Sequence, residues 1–247
     1  MKKCAISLQV YQENVFAGAP PFTSCRAALK QLATGEAAAA DGADAAADAR
    51  RAAALQLVSF HSTSKGYTGE CGLRGGYFEC VGLSNGVRNE LIKMASVCLC
   101  SNVPGQFAAG LMVNPPRGAS ASATRHAAER DGILTSLERR ARRVRAALDA
   151  LPGIDCNEAQ GALYLFPRIT LPPRAVAAAA AKGVAPDAFY ALALLEATGV
   201  VVVPGSGFGQ AEGTFHFRTT FLPPEDQIDT VLGLVGQFHR AFVAEYE

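Results

Sequence analysis

The sequence predicts an α/β chain, and three observations predict it. Short apolar runs of strand character, Leu55–Phe60 and Gly76–Val81, flank a glycine-rich loop. Leu134, Leu137, Ala141, Val144, Leu148 and Leu151 recur at alternating spacings of three and four, which gives a long helix one apolar face. Further on, an apolar strand over 161–167, a helix from Pro186 to Thr198 and an alternating strand over 214–218 follow one another as in an α+β domain.

The elements can be justified in order. Ala5–Val10 reads as a strand, and residues 19–33 as a turn and then a short helix with Ala28, Leu29 and Leu32 inward. Residues 36–54 are almost wholly alanine, aspartate, glycine and arginine. Alanine favours helix, but no large apolar side chain is present to pack, so an exposed, frayed or disordered insertion is expected. Leu55–Phe60 leads into the loop and Gly76–Val81 leads away from it. A helix over Val87–Ser96 follows, then a break at Ser101–Gln106 and an apolar helical segment, Phe107–Val113. Two prolines and a glycine in Asn114–Gly118 mark a domain boundary, giving domains 1–118 and 119–247. Arg139, Arg140, Arg142, Arg143 and Arg145 fall mostly off the apolar face of the long helix, as a solvated face does. The Pro204–Gly209 stretch has G-x-G-x-G spacing, yet it leads to a strand and not a helix, so it reads as a turn.

Composition narrows the function classes. With 247 residues and 49% hydrophobic content there is material for one large domain or two small ones. The 23 basic and 22 acidic residues nearly cancel, which gives no electrostatic argument for nucleic acid or an acidic membrane. No apolar run approaches the roughly 20 residues of a membrane span, and polar Gln9 and Gln12 come too early for a signal peptide. Seven cysteines, an odd number without a C-x-x-C pair, read as reduced thiols of an intracellular protein. The four histidines show no metal-ligand grouping, so no metal is expected.

The chemistry concentrates in Ser59–Tyr77, S-F-H-S-T-S-K-G-Y-T-G-E-C-G-L-R-G-G-Y. Lys65 follows Ser62, Thr63 and Ser64, glycines surround it, and Arg74 lies downstream. Hydroxyls and bare backbone N–H groups donate to phosphate oxygens, glycines admit close approach, and arginine clamps a phosphate through parallel bonds. A lysine beside a phosphate site suits a pyridoxal phosphate enzyme, whose lysine amine joins the cofactor's aldehyde. A lone S-x-x-K describes an ordinary surface turn just as well.

The longer string S-T-S-K-G-Y-T-G-E-C-G-L-R-G-G-Y resembles the cofactor-lysine segment of the alanine aminotransferases, a branch of the class I, fold-type I pyridoxal phosphate aminotransferases. Two further segments are similar to that family: Tyr11-Gln12-Glu13-Asn14-Val15-Phe16, and V-P-G-S-G-F-G…F-H-F-R-x-T…L-P-P around Arg218. The resemblance implies the C-terminal part of the family's large domain followed by its small α+β domain. It gives Lys65 as the catalytic lysine, Ser62, Ser64 and Arg74 as phosphate donors, Tyr11 at the cofactor's ring oxygen, and Arg218 forked onto the substrate carboxylate. Taken alone, Tyr11 is an ordinary strand-end tyrosine and Arg218 a partner for some surface carboxylate. By family, the reaction is alanine with 2-oxoglutarate to give pyruvate and glutamate, with small-molecule amino and oxo acids as partners. A homodimer is expected, in the cytoplasm or mitochondrion, with Ser101–Gln106 near the subunit interface.

Two departures from the pattern stand out. The family aspartate that pairs with the pyridine nitrogen falls at Leu8, and its neighbouring glutamate at Gln9. The family tyrosine lies past the middle of a full-length chain but here is residue 11, so a C-terminal half is expected. The alternative function is therefore a truncated, catalytically inactive fragment or an interaction module.

Overall fold

The computed structural model describes residues 3–34 and 44–247. Two compact units divide the chain, Met1–Arg130 and Asp131–Glu247, so the division falls within the long helix.

The first unit is built on a three-stranded sheet. Strand β1 (Cys4–Leu8) runs parallel to β2 (Gln56–Ser62), which pairs antiparallel with β3 (Gly76–Val81). Strand alternation assigns the faces. Ala5, Leu57 and Val81 stand in register on one face, where they pack with Leu29 and Leu32 of helix α1 (Cys25–Thr34) and with Ala52 of helix α2 (Ala45–Ala54). Ile6, Leu8, Phe60 and Phe78 point to the other face, and Ile6 and Leu8 are 68% and 72% exposed. No described element covers that second face.

The alanine-rich segment differs from expectation. Its 36–43 part lies outside the described residues, but Ala45–Ala54 is a helix capped by Asp44, whose carboxylate accepts from the N–H groups of Ala46 and Ala47. Large apolar side chains are not required there. The small Ala52 side chain lets the helix approach Leu29 and Leu57 closely, and it is buried.

Helices α3 (Asn85–Val97) and α4 (Val103–Val113) follow. The second starts earlier than expected because Pro104 falls in its first turn, where the missing N–H would have had no helical partner.

The second unit holds the lower part of α5 (Ala121–Asp149), with Leu137, Ala141, Val144 and Leu148 buried as the spacing predicts. Its arginines are engaged at the surface: Arg139 with Glu225 at 2.8 Å, Arg142 with Glu138 at 2.6 Å, and Arg143 with Asp229. The remaining helices are α6 (Pro173–Ala181), α7 (Pro186–Thr198) and α8 (Glu225–Tyr246). Helix α7 has its expected bounds and ends on Gly199, whose φ of 74° suits a left-handed cap.

The sheet has the order β4 (Ile154–Asp155), β6 (Arg168–Ile169), β8 (Phe215–Thr220), β5 (Tyr164–Leu165), and β7 (Val203–Pro204) also pairs with β8. The strand expected over 161–167 is shorter than its sequence suggests. Ala162 takes a positive φ of 59° and Pro167 has no N–H to donate, so the ladder is interrupted between Tyr164–Leu165 and Arg168–Ile169, which pair with β8 in one continuous antiparallel register. Likewise only Val203 of the expected 200–203 strand joins the sheet, together with Pro204 beyond it. Tyr190, Phe217 and Phe242 form the aromatic centre of this unit, with Tyr190 5.1 Å from Phe242 and 6.0 Å from Phe217 between ring centroids.

Candidate active site

Lys65 lies just past the end of β2, in a loop tied shut by its own backbone. Thr63 is fully buried, and both its N–H and its hydroxyl donate to the carbonyl of Gly75, at 3.1 and 3.2 Å. The Glu70 N–H donates to the Thr63 carbonyl at 2.8 Å. Threonine is therefore the structural member of the S-T-S run, while Ser62, Ser64 and Tyr11 are half-buried and Lys65 is exposed. The Ser62 hydroxyl accepts from the Ser64 N–H at 3.2 Å, and the Cys71 thiol donates to the Ser64 carbonyl at 3.0 Å.

Arg74 is exposed and adopts a left-handed backbone, φ 52°. Its guanidinium donates to the Cys71 carbonyl at 2.8 Å, which folds it back over its own loop and leaves most of its five donors for a ligand. Asn102 donates its Nδ2 to the Arg74 carbonyl at 3.3 Å, and its Oδ1 caps α4 by accepting from the Gly105 N–H at 2.7 Å. Ser101–Gln106 thus braces the lysine loop of its own chain, a role that the motif did not disclose.

Gly66 carries a positive φ of 66°, and a side chain there would meet the Val10 carbonyl at 3.2 Å and Asn14 Oδ1 at 3.3 Å. Asn14 is 1% exposed, and neither atom of its amide finds a hydrogen-bond partner among the described residues. Nearby, burial lowers the affinity of His61 for its proton, opposed by the negative Glu13. Burial first, and then Glu13, push the Tyr67 phenol above its ordinary range against the pull of Arg130.

Leu8 pairs with Phe60 in the β1–β2 register, and the Gln9 N–H donates to the Phe60 carbonyl at 2.9 Å. The donor set fits pyridoxal phosphate at its phosphate and aldehyde ends: two hydroxyls, a guanidinium, and a lysine on a glycine-cradled turn. Leu8, where the resemblance would have an acid for the ring nitrogen, is an apolar side chain that points to the open sheet face.

Arg218 belongs to the second unit. It is half-buried on β8, with its guanidinium carbon 4.7 Å from the centroid of the Tyr164 ring and 5.0 Å from that of Phe208. No carboxylate pairs with it among the described residues, contrary to the plain surface-pair reading. The loop that supplies Phe208, a 3-10 turn over Gly205–Phe208, was read from sequence only as a turn. A guanidinium stacked against two rings with its donors unspent has the chemistry to take a carboxylate. No group of three or more His, Cys, Asp or Glu side chains suited to a metal occurs among the described residues.

A mixed three-stranded sheet with a lysine loop at its end, joined to an α+β unit whose Arg218 guanidinium has no carboxylate partner among the described residues, defines a class of chain before any particular relative. The profile of aminotransferase class I and II matches residues 22–234, and the chain belongs to that family. It is 51% identical over 238 residues to alanine aminotransferase 2 of Panicum miliaceum, covering 96% of this chain and 46% of that one. Against the mitochondrial alanine aminotransferase 2 of Arabidopsis thaliana the identity is 49%, over 96% of this chain and 41% of that protein. For alanine aminotransferase 1 of Homo sapiens it is 44%, with 96% and 45% covered. Among solved structures, the alanine aminotransferase of Pyrococcus furiosus superposes with a TM-score of 0.68 at 24% identity, over 96% of this chain and 49% of that one. An aminotransferase of Escherichia coli gives 0.65 at 20% identity, over 97% and 50%. The chain thus spans less than half the length of these curated relatives.

Proposed function

We propose that this chain carries the lysine-bearing part of a pyridoxal phosphate-dependent aminotransferase that exchanges alanine and 2-oxoglutarate for pyruvate and glutamate. The observation that carries the reading is Arg218, a half-buried guanidinium held between Tyr164 and Phe208 without a protein carboxylate. Such a group is built to take an acid from solution, and every substrate of this exchange bears an α-carboxylate.

The other roles follow from chemistry. Ser62, Ser64 and Arg74 would donate to the phosphate from a loop tied by the Thr63–Gly75 bonds. Tyr11 donates to the cofactor's ring oxygen. Lys65 would hold the cofactor through its amine and, once free, would move the α-proton of the substrate as base and then acid. The bound cofactor supplies an electron sink for the charge that develops at the α-carbon. Leu8 offers no acid with which to support that sink at the pyridine nitrogen. The relatives named mitochondrial, from Arabidopsis and Dictyostelium discoideum, support a mitochondrial or cytoplasmic setting. A homodimer is the expected assembly of the intact relatives.

A second reading is favoured by one observation. Ile6, Leu8, Phe60 and Phe78 leave a sheet face bare, as in a chain that is inactive alone and serves as a fragment or interaction module. One experiment separates the two. The purified chain is incubated with pyridoxal phosphate and reduced with borohydride, and labelled lysines are mapped by peptide mass beside Lys65→Ala. Label confined to Lys65, together with alanine–2-oxoglutarate exchange, supports the enzyme. Scattered label and no exchange support the inactive fragment.

A further inference from the structure

We propose that Asp187 is the positioning residue of the Arg218 receptor: by gripping the Gly205–Gln210 loop it fixes the Phe208 ring against the guanidinium. The inference rests on the reading of Arg218 as a carboxylate receptor.

Asp187 stands in the first turn of α7 and is 1% exposed. No cation pairs with it among the described residues, and its Oδ1 has no hydrogen-bond partner. Its Oδ2 accepts twice, from the Ser206 N–H at 2.5 Å and from Gln210 Nε2 at 3.1 Å. Ser206 and Gln210 flank Phe208, so a single oxygen holds the loop on both sides of the ring. The positive end of α7 offsets part of the burial of that charge. An apolar residue would fill the same space without burying a charge at all. What the carboxylate adds is the grip on the loop.

The grip continues to the strand that bears Arg218. With its Nε2 spent on Asp187, Gln210 turns its Oε1 to His216 Nδ1 at 3.0 Å, so that nitrogen carries the proton. His216 lies flat on Phe166, with ring centroids 4.9 Å apart and planes 4° apart. Phe166 in turn meets Phe208 edge-on at 5.5 Å. Gly205 allows this closeness, since a Cβ there would fall 2.3 Å from Gln210 Oε1 and 2.7 Å from His216 Cβ. Phe208 is thus set from the loop through Asp187 and from the side through Phe166. A guanidinium already confined between two rings loses less freedom when a carboxylate arrives.

The test uses the full chain and two readouts. Ring currents of Tyr164 and Phe208 shift the Arg218 side-chain protons upfield, assigned by their disappearance in Arg218→Lys, and pyruvate is titrated as the carboxylate probe. Asp187→Leu is expected to lose the Phe208 part of the shift and to weaken pyruvate about tenfold. Asp187→Asn is expected to stay near wild type, because its amide oxygen can take both bonds and its nitrogen replaces the unpartnered Oδ1. Phe208→Ala should match Asp187→Leu, and the double variant should be no weaker than Phe208→Ala alone. Should Asp187→Leu not fold, Gln210→Met removes one of the two bonds and is read in its place, with a smaller change in the same direction. Wild-type shift and affinity in a folded Asp187→Leu or Gln210→Met overturns the inference, as does a double variant whose losses multiply. If Arg218→Lys leaves pyruvate affinity unchanged, the carboxylate reading fails, and the ring-current shift alone then decides the role of Asp187.

Discussion

Gly75 and Gly105 meet backbone to backbone: a Cβ built on Gly75 would lie 2.5 Å from the Gly105 carbonyl oxygen, and one on Gly105 would lie 2.8 Å from the Leu73 carbonyl oxygen. The end of the lysine loop and the first turn of α4 therefore share a contact that admits no side chain. Gly75→Ala and Gly105→Ala are each expected to destabilise the chain by about 1–3 kcal/mol, since backbone atoms must shift. They should also loosen Arg74. Urea unfolding followed by circular dichroism reads the first effect, and phosphate-dependent cofactor uptake the second.

Asn102 has two tasks, capping α4 and holding the Arg74 carbonyl. Asn102→Ala should cost about 1 kcal/mol for the cap. Asn102→Ser retains a capping oxygen but does not reach Arg74. If the second task matters, the serine variant recovers stability but not cofactor uptake.

The Arg218 guanidinium makes no hydrogen bond or ion pair within the protein among the described residues, so replacing the side chain tests binding with little disturbance of folding. Arg218→Lys keeps the charge but loses the planar fork and its stacking. Pyruvate affinity is expected to fall at least about tenfold, with a midpoint of thermal unfolding close to wild type. A large drop in the midpoint with unchanged affinity would mark Arg218 as structural.

His239 predicts a pH dependence of stability. It is 1% exposed, its Nε2–H donates to the Pro152 carbonyl at 2.7 Å, and its Nδ1 accepts from the Tyr190 hydroxyl at 3.0 Å, which fixes the neutral tautomer. Burial lowers its affinity for a proton, with Arg240 adding to the effect against the hydrogen bond to Pro152. The unfolded chain takes up that proton near the ordinary value of 6.5 and the folded chain only at lower pH. Between those two values the unfolded state binds more protons, so stability falls as pH falls below about 6.5 and is level above it. His61, lowered in the same direction in the first unit, adds to the slope. His239→Gln is expected to flatten the second unit's share. Tyr190→Phe should cost about 1–3 kcal/mol at neutral pH by leaving Nδ1 buried and unpaired.

The cysteines divide by reactivity. Cys156 is buried, and desolvation, aided by Asp149 and Asp155 against Arg145, pushes its thiol up to about 11. The thiolate is the reactive form, so Cys156 should resist maleimide at neutral pH while exposed Cys71 and Cys80 react. Labelling of Cys156 should begin only with denaturant that opens the second unit, read by mass spectrometry.

Much of the fold was legible where periodicity and punctuation agree. Gly76–Val81 and Pro186–Thr198 have the bounds that their glycine and proline limits suggested. The lysine loop was legible as a motif, but not its fastening, because Thr63 and Gly75 are joined by tertiary bonds that spacing does not encode. Ala45–Ala54 was misjudged because packing was equated with large side chains. Helix α8 was passed over, although its Pro224 entry and acidic first turn were a readable start signal. Phe208 was hidden within a turn pattern, since only the fold brings its ring to Arg218.

The bare sheet face has a meaning for the chain's life in a cell. Ile6, Leu8, Phe60 and Phe78 offer the kind of surface on which holdase chaperones settle and by which proteases choose their clients. How long the polypeptide persists is then governed by how quickly that face finds cover, and not by how firmly its well-packed second unit holds together.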